Sequence, residues 1–417
     1  MDKLKVFGKA NLNGSIKIPG AKNAVLPIMA CSILSNQSLH LTNVPNLVDI
    51  LTMKKLLKNF GLVFHSHENS LSVIANNISN QVADYDLVRK MRASILVFGP
   101  LLSRFGKAKI SLPGGCSIGT RPINLHLYGL ERLGASFIIK DGYVIGKVKD
   151  KLKGTSIKLP LVSVGATENI LMASVLAKGK TTIINAAKEP EVKDLSNCLN
   201  KMGAKIVGAG TSIIKIEGVS KLKEAEHSII SDRIVAGTYI IAAIMLNKNF
   251  VVKNINPKHL ETPIKILKQM NAKLDIGDNY IKINSTHSIK GATIKTKPYP
   301  GFPTDLQAQM MALMSLADGK SEIKENIFEN RFLHVPELNR LGADISVKND
   351  IAFINGNREF KGAQVMASDL RASVSLVLAG LSAKGITTIN RVYHLDRGYE
   401  KIEKTLGNCG PKIERLK

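Results

Sequence analysis

The sequence has no tryptophan, few aromatic residues and no closely spaced cysteines, and each absence limits what the chain can be. Its four cysteines, Cys31, Cys116, Cys198 and Cys409, lie far apart with no Cys-x-x-Cys pair, which excludes a disulfide framework and a zinc site of the usual spacing. No apolar segment follows the N-terminal residues as it would in a secretory signal. The longest apolar stretch, 234–246, is too short to span a bilayer. We therefore expect a reduced, cytoplasmic protein with no membrane partner.

Long runs of basic residues are also absent, although the formal net charge is +25. A surface that binds nucleic acid would combine clustered Lys and Arg with exposed aromatic rings, whereas only 5% of the residues are aromatic. An RNA-binding or RNA-processing protein is therefore disfavoured, and we expect no nucleic-acid partner. A small substrate with several negative charges is the alternative that the charge leaves open.

One phrase, Leu-x-x-apolar-Gly followed by a strand, recurs six times at intervals of roughly 70 residues. Its last residues are Gly61, Gly134, Gly203, Asn271, Gly342 and Gly410. Glycine and asparagine are the residues that end a helix in the left-handed conformation, so each phrase predicts a helix C-terminus. Each unit is predicted to be an α/β module with several strands and two helices. A solenoid is less suitable, because its repeats are about 20–50 residues long.

The length of 417 residues favours two large domains over one core. Six modules divide naturally into two domains of three, with the boundary near 228–232. We therefore predict one domain over 22–230 and a discontinuous one formed by 1–21 and 231–417. The N-terminal strand before Gly20 has no module of its own in the first half, so we expect it to complete the last one.

The segment 112–122, reading LPGGCSIGTRP, carries the most specific chemistry. Cys116 follows Gly114 and Gly115 and precedes Arg121 by five residues. Glycines let a loop move and approach a ligand closely, and a thiol held near a cation becomes a working acid or nucleophile. A surface turn with an incidental cysteine is the alternative that these residues alone leave open.

Most strand-to-helix loops carry ionisable residues, as expected for function on a rigid scaffold. The charged residues of these loops and of other apolar contexts are Lys22, Arg92, Glu189, Glu191, Asp232, Arg233, Asp305, Glu329, Arg331, Asp369, Arg371, Asp396 and Arg397. Asp305 and Asp369 each directly precede a helical pattern, so either could instead be a helix N-cap. The arginines are conspicuous in a chain that prefers lysine, and planar bidentate binding of phosphate or carboxylate requires arginine. Together with Lys22 they predict a pocket for a polyanionic substrate.

Ten phrases carry a family resemblance. In chain order they are GAKNA, MRAS, LPGGCSIGTRP, SVGATENI, AAKEPE, FPTDLQAQ, FENRF, HVPEL, DLRAS and HLDRGYE. By these phrases the chain resembles the UDP-N-acetylglucosamine 1-carboxyvinyltransferases, a family of enolpyruvyl transferases, over essentially its whole length. The related 5-enolpyruvylshikimate-3-phosphate synthases share the fold but lack the Cys loop.

The resemblance implies an α/β fold of two inside-out α/β barrels, each of three repeats, with the active site in the interdomain cleft, which closes on the substrates. The implied reaction transfers enolpyruvyl from phosphoenolpyruvate to the 3′-hydroxyl of UDP-N-acetylglucosamine and releases phosphate. This is the first committed step of peptidoglycan precursor synthesis. The resemblance implies no metal and no organic cofactor. The sequence gives no indication of oligomeric state.

The resemblance also assigns residues. Cys116 corresponds to the mobile-loop residue that protonates the enol methylene, and Asp305 to the group that accepts the sugar hydroxyl proton. Lys22, Arg121 and Arg397 correspond to the phosphoenolpyruvate clamp, with Asn23 nearby. Positions that hold the nucleotide sugar are matched by Arg92, Arg121, Pro122, Ile123, Asn124, Leu125, Leu161, Val162, Ser163, Val164 and Ile327. Asp369 and Arg371 lie beside the reacting centre, and Arg331 completes the set of arginines expected to bind substrate.

Two residues depart from the family pattern. Asn124 replaces an acid that is often found in the Arg-Pro-x-Asp-Leu phrase, and Leu161 stands where some members have lysine. Both departures bear on nucleotide binding rather than on the chemistry. An enolpyruvyl transferase acting on another acceptor is the alternative within the superfamily, and the Cys loop and the nucleotide phrases argue against it.

Overall fold

The computed structural model describes residues 2–112, 123–286 and 288–417. Within these residues the chain divides into two compact units, each with its own hydrophobic core. We call unit A the described residues of 20–230, and unit B residues 2–19 with the described residues of 231–417. None of the described helices is both long enough and apolar enough to cross a membrane.

The described residues form short strands and helices that alternate along the chain. The strands are β1 Lys3–Phe7, β2 Ser15–Lys17, β3 Leu39–Thr42, β4 Val63–His67, β5 Ser70–Ile74, β6 Val82–Ala83, β7 Lys107–Ser111, β8 Ala135–Lys140, β9 Tyr143–Val148, β10 Ser156–Lys158, β11 Lys180–Ile184, β12 Lys205–Val207, β13 Ile213–Glu217, β14 Ala225–Ser228, β15 Phe250–Lys253, β16 Lys273–Ile276, β17 Tyr280–Asn284, β18 Thr293–Lys295, β19 Lys320–Lys324, β20 Ile345–Lys348, β21 Ile351–Asn355, β22 Gln364–Met366, β23 Ile386–Asn390 and β24 Ile413–Leu416. The α-helices are α1 Lys22–Cys31, α2 Val48–Phe60, α3 Tyr85–Val88, α4 Phe98–Phe105, α5 Asn124–Arg132, α6 Val164–Ser174, α7 Pro190–Lys201, α8 Arg233–Met245, α9 Glu261–Gln269, α10 Gln307–Leu316, α11 Val335–Arg340, α12 Leu370–Ser382 and α13 Ile402–Gly407.

Each unit contains, among the described residues, three four-stranded sheets built on one plan. The orders are β14-β3-β5-β4, β6-β7-β9-β8 and β10-β11-β13-β12 in unit A, and β2-β15-β17-β16, β18-β19-β21-β20 and β22-β23-β1-β24 in unit B. In every sheet the first two strands are parallel and the remaining pairs are antiparallel. The six sheets correspond to the six sequence modules.

The N-terminal segment closes unit B. In β1, Leu4 pairs with Ile389 of β23 on one side and with Arg415 of β24 on the other, so the N-terminal strand completes the last sheet, as expected. The short strand β2 begins the fourth sheet, where Ile16 pairs with Val252 of β15. This second contribution is not predicted by the sequence.

The six predicted helix ends have the backbone that their residues favour. The φ angles at Gly61, Gly134, Gly203, Asn271, Gly342 and Gly410 are 106°, 101°, 98°, 74°, 103° and 110°. All six are in the left-handed region, so the C-cap prediction is confirmed. At Gly61 a Cβ would also lie only 2.4 Å from the Asn77 carbonyl oxygen, which leaves no room for a side chain.

The inner helices bring the functional residues into place. In α8 every residue from Ile234 to Met245 is buried, and so is every residue of α12 from Leu370 to Leu381. A helix that is apolar on all sides lies inside the core. Its side chains therefore cannot serve a solvent-facing site except at its ends, and the charged residues of the sequence motifs lie at the N-terminal ends of α1, α8, α10 and α12.

Candidate active site

Asp305 in unit B is held by two arginines, Arg331 from the loop before α11 and Arg371 from the first turn of α12. It lies in the 3-10 helix Thr304–Leu306, immediately before α10. Arg331 Nη2 donates to its Oδ1 at 2.8 Å, and Arg371 Nη2 donates to its Oδ2 at 2.8 Å. The arginine side chains are 4% and 8% exposed, whereas that of Asp305 is 28% exposed. The carboxylate therefore presents its remaining lone pairs to solvent while two guanidinium groups stabilise its charge from behind.

The ion pair also fixes the charge of Arg371. Burial on its own lowers the pKa of Arg371, but the Asp305 carboxylate outweighs burial and holds that pKa above its ordinary value. The N-cap alternative is wrong for Asp305, because no side chain caps either the 3-10 helix or α10. The structure brings together three of the residues expected at the reacting centre.

Asp369 does cap a helix, and the N-cap alternative is confirmed for it. Its Oδ1 accepts the backbone N–H of Arg371 at 2.8 Å and of Ala372 at 3.2 Å. His334 is buried nearby, and burial, together with the Arg331 cation, lowers its pKa to about 4 against the opposing charge of Asp369. At neutral pH His334 is therefore an uncharged neighbour of these ion pairs.

Glu325, which the sequence analysis missed, links two predicted site segments. Its buried carboxylate accepts the hydroxyls of Thr296 and Thr304 at 2.9 Å each. It also accepts the backbone N–H of Ile327 at 2.8 Å and of Phe328 at 3.3 Å. One carboxylate thus holds the neighbour of Asp305 and the loop that carries Ile327, so both segments depend on its geometry.

In unit A, Lys22 is paired with a second residue that sequence reasoning missed. Lys22 is the first residue of α1, and its Nζ lies 3.3 Å from Oδ2 of Asp49, near the start of α2. Both side chains are buried, and a buried ammonium requires a compensating charge. Asp49 supplies it. In the sequence an acid in the first turn of a helix is indistinguishable from one that only complements the helix dipole.

His126 lies among the segments expected to hold the nucleotide sugar. Burial, reinforced by the Arg92 cation, lowers its pKa to about 4. Asn169 fixes its tautomer: Oδ1 accepts the Gly99 N–H at 2.7 Å, so Nδ2 donates to His126 Nδ1 at 3.1 Å. The proton of His126 is therefore on Nε2. His126 Nε2 lies close to Gly165 in the first turn of α6, because a Cβ built on that glycine would be 3.3 Å from the nitrogen.

The remaining predicted residues are distributed over helix starts and loops. Asn23 is exposed in the first turn of α1, and Asn124 and Leu125 open α5 directly after Ile123. Leu161 and Val162 are exposed, and Ser163 caps α6 by accepting the Ala166 N–H at 3.3 Å, with Val164 as the first helical residue. Arg397 ends the 3-10 helix Val392–Arg397. The predictions for Cys116, Arg121 and Pro122 lie outside the described residues.

Two other groups of charged residues, around Glu168 in α6 and around Asp396, differ in their surroundings. Burial, reinforced by Glu191 and Glu189, raises the pKa of Glu168 well above its usual range. Asp396 accepts two hydrogen bonds from Arg415, at 3.0 and 2.7 Å, which tie β24 to the 3-10 helix that ends at Arg397. Within the described residues no cluster of three or more His, Cys, Asp or Glu side chains has an arrangement that could hold a metal ion.

Comparison with known sequences places the chain in a family. Residues 6–406 match the family model described as EPSP synthase (3-phosphoshikimate 1-carboxyvinyltransferase). A UDP-N-acetylglucosamine 1-carboxyvinyltransferase of Pelagibacter ubique (strain HTCC1062) is 53% identical over 416 residues, which cover 100% of both chains. The chain belongs to the UDP-N-acetylglucosamine 1-carboxyvinyltransferase family. A relative of the same name from Granulibacter bethesdensis (strain ATCC BAA-1260 / CGDNIH1) is 50% identical over 418 residues, again covering 100% of both chains.

Solved structures agree on the fold. The enolpyruvyl transferase NikO from Streptomyces tendae superposes with a TM-score of 0.91 at 24% identity, covering 100% of this chain and 99% of that one. An EPSP synthase from Acinetobacter baumannii gives a TM-score of 0.76 at 18% identity, with 100% of both chains covered. The α/β fold expected from the sequence is therefore confirmed, and this member of the carboxyvinyltransferase family is a transferase.

Proposed function

We propose that the protein transfers the enolpyruvyl group of phosphoenolpyruvate to the 3′-hydroxyl of UDP-N-acetylglucosamine and releases phosphate. The reaction would supply the first committed precursor of peptidoglycan. The observation that carries the proposal is the doubly paired carboxylate of Asp305, within a chain that is 53% identical over its full length to a relative named for this activity. The cytoplasmic location expected from the cysteines stays a prediction.

The chemistry requires an acid and a base. The acceptor hydroxyl adds to C2 of phosphoenolpyruvate while C3 gains a proton; C3 then loses a proton as phosphate leaves, which restores the double bond in the product. We assign the acceptor proton to Asp305, because its ionised carboxylate is partly exposed and can accept a further hydrogen bond. By the family resemblance, we assign to Cys116 the proton that C3 gains. The same resemblance implies that the two units close on the substrates.

Positive charge at helix N-termini supports binding of the anionic substrate. Lys22 opens α1, a helix of ten residues whose N-terminal N–H groups and dipole favour a phosphate or carboxylate. The Lys22 ammonium donates to Asp49 Oδ2 at 3.3 Å, and this contact orients the ammonium. With Arg397 and Arg121, this lysine would bind the phosphate and carboxylate of phosphoenolpyruvate.

The nucleotide sugar is assigned to the residues around His126. Arg92 supplies a cation there, and the start of α6 supplies backbone N–H groups beside the exposed residues Leu161 and Val162. Because Leu161 stands where some relatives have lysine, one cation that could pair with the diphosphate is missing. We therefore expect the nucleotide sugar to bind more weakly here than in relatives with that lysine.

The test is phosphate release by the purified protein with both substrates. Release that requires both phosphoenolpyruvate and UDP-N-acetylglucosamine supports the proposal, with 3-phosphoshikimate as the alternative acceptor in a parallel reaction. Release with phosphoenolpyruvate and 3-phosphoshikimate, but not with phosphoenolpyruvate and UDP-N-acetylglucosamine, would favour a different acceptor within the superfamily. No release from folded protein with either acceptor would contradict enolpyruvyl transfer to both.

A further inference from the structure

The last strand of unit B carries an arginine whose N–H groups all meet carboxylates. Arg415 lies in β24 and is partly buried. Its Nη1 and Nη2 donate to Oδ2 and Oδ1 of Asp396 at 3.0 and 2.7 Å. Its Nε and Nη2 donate to Oε1 and Oε2 of Glu403 at 3.0 and 3.1 Å, and its Nη1 also donates to Asp2 Oδ2 at 3.3 Å. These five hydrogen bonds match the five N–H donors of a guanidinium.

Arg415 has a rigid base from which to hold these carboxylates. In β24 it pairs with Leu4 of β1, a fully buried residue of the strand next to it in the last sheet. A planar guanidinium that donates two parallel hydrogen bonds fixes both the distance and the direction of the carboxylate. The side chain of Asp396 is therefore held in one place relative to this sheet.

The segment that Asp396 anchors also carries Arg397. Both residues lie in the 3-10 helix Val392–Arg397. The residue before this helix, Arg391, has a φ of 60°, and Lys401, which closes the segment, has a φ of 38°. Long side chains are unfavourable in the left-handed region, so neither end of the segment is stabilised by its own backbone preference. Contacts from elsewhere must maintain the conformation of 392–400, and the bidentate ion pair is one of them.

The same 3-10 helix ends beside the Asp305 site of unit B. A Cβ at Gly398, the residue after Arg397, would lie 2.8 Å from Cδ2 of Leu370. Leu370 is the first residue of α12, and Arg371, which pairs with Asp305, follows it directly. The end of the 3-10 helix therefore packs closely against the start of α12. A displacement of that helix would move Arg397 relative to Asp305.

We propose that Arg415 is a positioning residue for phosphoenolpyruvate binding, which it serves by holding Asp396 and with it the backbone of Arg397. The inference rests on the proposed function, because it takes Arg397 as part of the phosphoenolpyruvate clamp. Both carboxylate oxygens of Asp396 accept from Arg415, so the role of this acid is to anchor the segment. Lysine could not replace Arg415, since an ammonium lacks the planar fork that two parallel hydrogen bonds require.

The test makes the same change at two carboxylates that Arg415 holds. Asp396→Asn removes an acceptor from the segment that carries Arg397, whereas Glu403→Gln removes one from α13. In Asp396→Asn we expect KM for phosphoenolpyruvate to rise about tenfold, with kcat and KM for UDP-N-acetylglucosamine within about twofold, because a ground-state binding group is displaced. Glu403→Gln should keep the wild-type KM for phosphoenolpyruvate. Both variants should lower the unfolding temperature, since each leaves a charged donor unpaired.

Two further variants separate positioning from a structural role. Arg415→Lys should raise KM for phosphoenolpyruvate as Asp396→Asn does, although it keeps the positive charge. In an Arg397→Lys background, Asp396→Asn should cause no additional rise, because the residue through which it acts has been replaced. An unchanged KM in Asp396→Asn, an equal rise in Glu403→Gln, or an unchanged effect of Asp396→Asn in the Arg397→Lys background would each overturn the inference.

A readout that does not need turnover distinguishes this inference from the proposed function. Amide hydrogen exchange over residues 392–400, followed by mass spectrometry, should be faster in Asp396→Asn than in the wild type or Glu403→Gln. Phosphoenolpyruvate should slow this exchange, and Asp396→Asn should need a higher concentration for the same protection. An inactive wild type with this pattern would contradict the proposed reaction and leave the positioning role supported. Equal exchange in the wild type and Asp396→Asn, or equal protection at the same concentration, would overturn the positioning role whatever the activity.

Discussion

The buried, uncharged His334 makes a quantitative prediction for acid stability. Its pKa is about 4 in the folded protein, against an ordinary value of about 6.5 in the unfolded chain. Between these values the unfolded state binds more protons than the folded state. Stability therefore increases with pH through this window and is lost as pH falls from about 6.5 towards 4.

The size of the effect follows from the shift of the pKa. Because His334 binds a proton more readily in the unfolded chain, the free energy of unfolding is lower by about 0.2 kcal/mol at pH 7 and by about 2 kcal/mol at pH 5. The histidine should thus contribute about 1.8 kcal/mol to the difference in unfolding free energy between these pH values. Glu168, whose pKa is raised, acts in the opposite direction, so the share of His334 is isolated only by comparison with a variant.

The assay is chemical denaturation of the wild type and His334→Gln at pH 7 and pH 5, followed by circular dichroism because the chain has no tryptophan. Going from pH 7 to pH 5, the wild type should lose about 1.8 kcal/mol more than the variant. His65→Gln, at an exposed histidine, is the matched control and should lose as much as the wild type. Equal losses in the wild type and His334→Gln would refute the view that His334 is held neutral by burial.

Substitutions at four further positions test the assignments around the substrates. Asp305→Asn should lower kcat by about 100-fold or more and also destabilise the fold, because two buried arginines lose their carboxylate; steady-state kinetics and thermal unfolding measure both. Asp49→Asn should raise KM for phosphoenolpyruvate more than it lowers kcat, since it removes the fixed partner of Lys22. Leu161→Lys should lower KM for UDP-N-acetylglucosamine by adding a cation at an exposed position. Cys116→Ser should lose most of the activity while Cys116→Asp keeps a good part, and mass spectrometry should find fosfomycin on Cys116 rather than on Cys31.

The fold was predictable where its signals are local. Each helix end at a Leu-x-x-apolar-Gly phrase is determined by one residue that tolerates positive φ, as Gly61 and Asn271 show. The strand β2 was not predictable, because three residues are too few for an alternating pattern. Its partner Val252 is distant in sequence from Ile16, so only tertiary structure reveals the pairing.

The sequence predicted the site residues that lie in recognisable motifs. It did not predict the residues that hold them in place. Asp305 and Arg371 stand in recognisable phrases, and the structure joins them directly. Glu325 holds Thr304, the neighbour of Asp305, and Asp49 pairs with Lys22. Both contacts join different helices and loops, so they leave no periodic or local signature in the sequence. The N-cap alternative shows the same limit: the same helical pattern follows Asp305 and Asp369, but only the second caps its helix.

We propose that this member of the family moves an enolpyruvyl group onto UDP-N-acetylglucosamine. The most direct measurement follows phosphate release and analyses the nucleotide sugar from the same reaction by mass spectrometry. We expect one phosphate to be released for each nucleotide sugar that has gained an enolpyruvyl group at its 3′-oxygen, and both signals to be lost in Asp305→Asn. Phosphate release without a modified nucleotide sugar, or unchanged turnover in Asp305→Asn, would contradict this proposal.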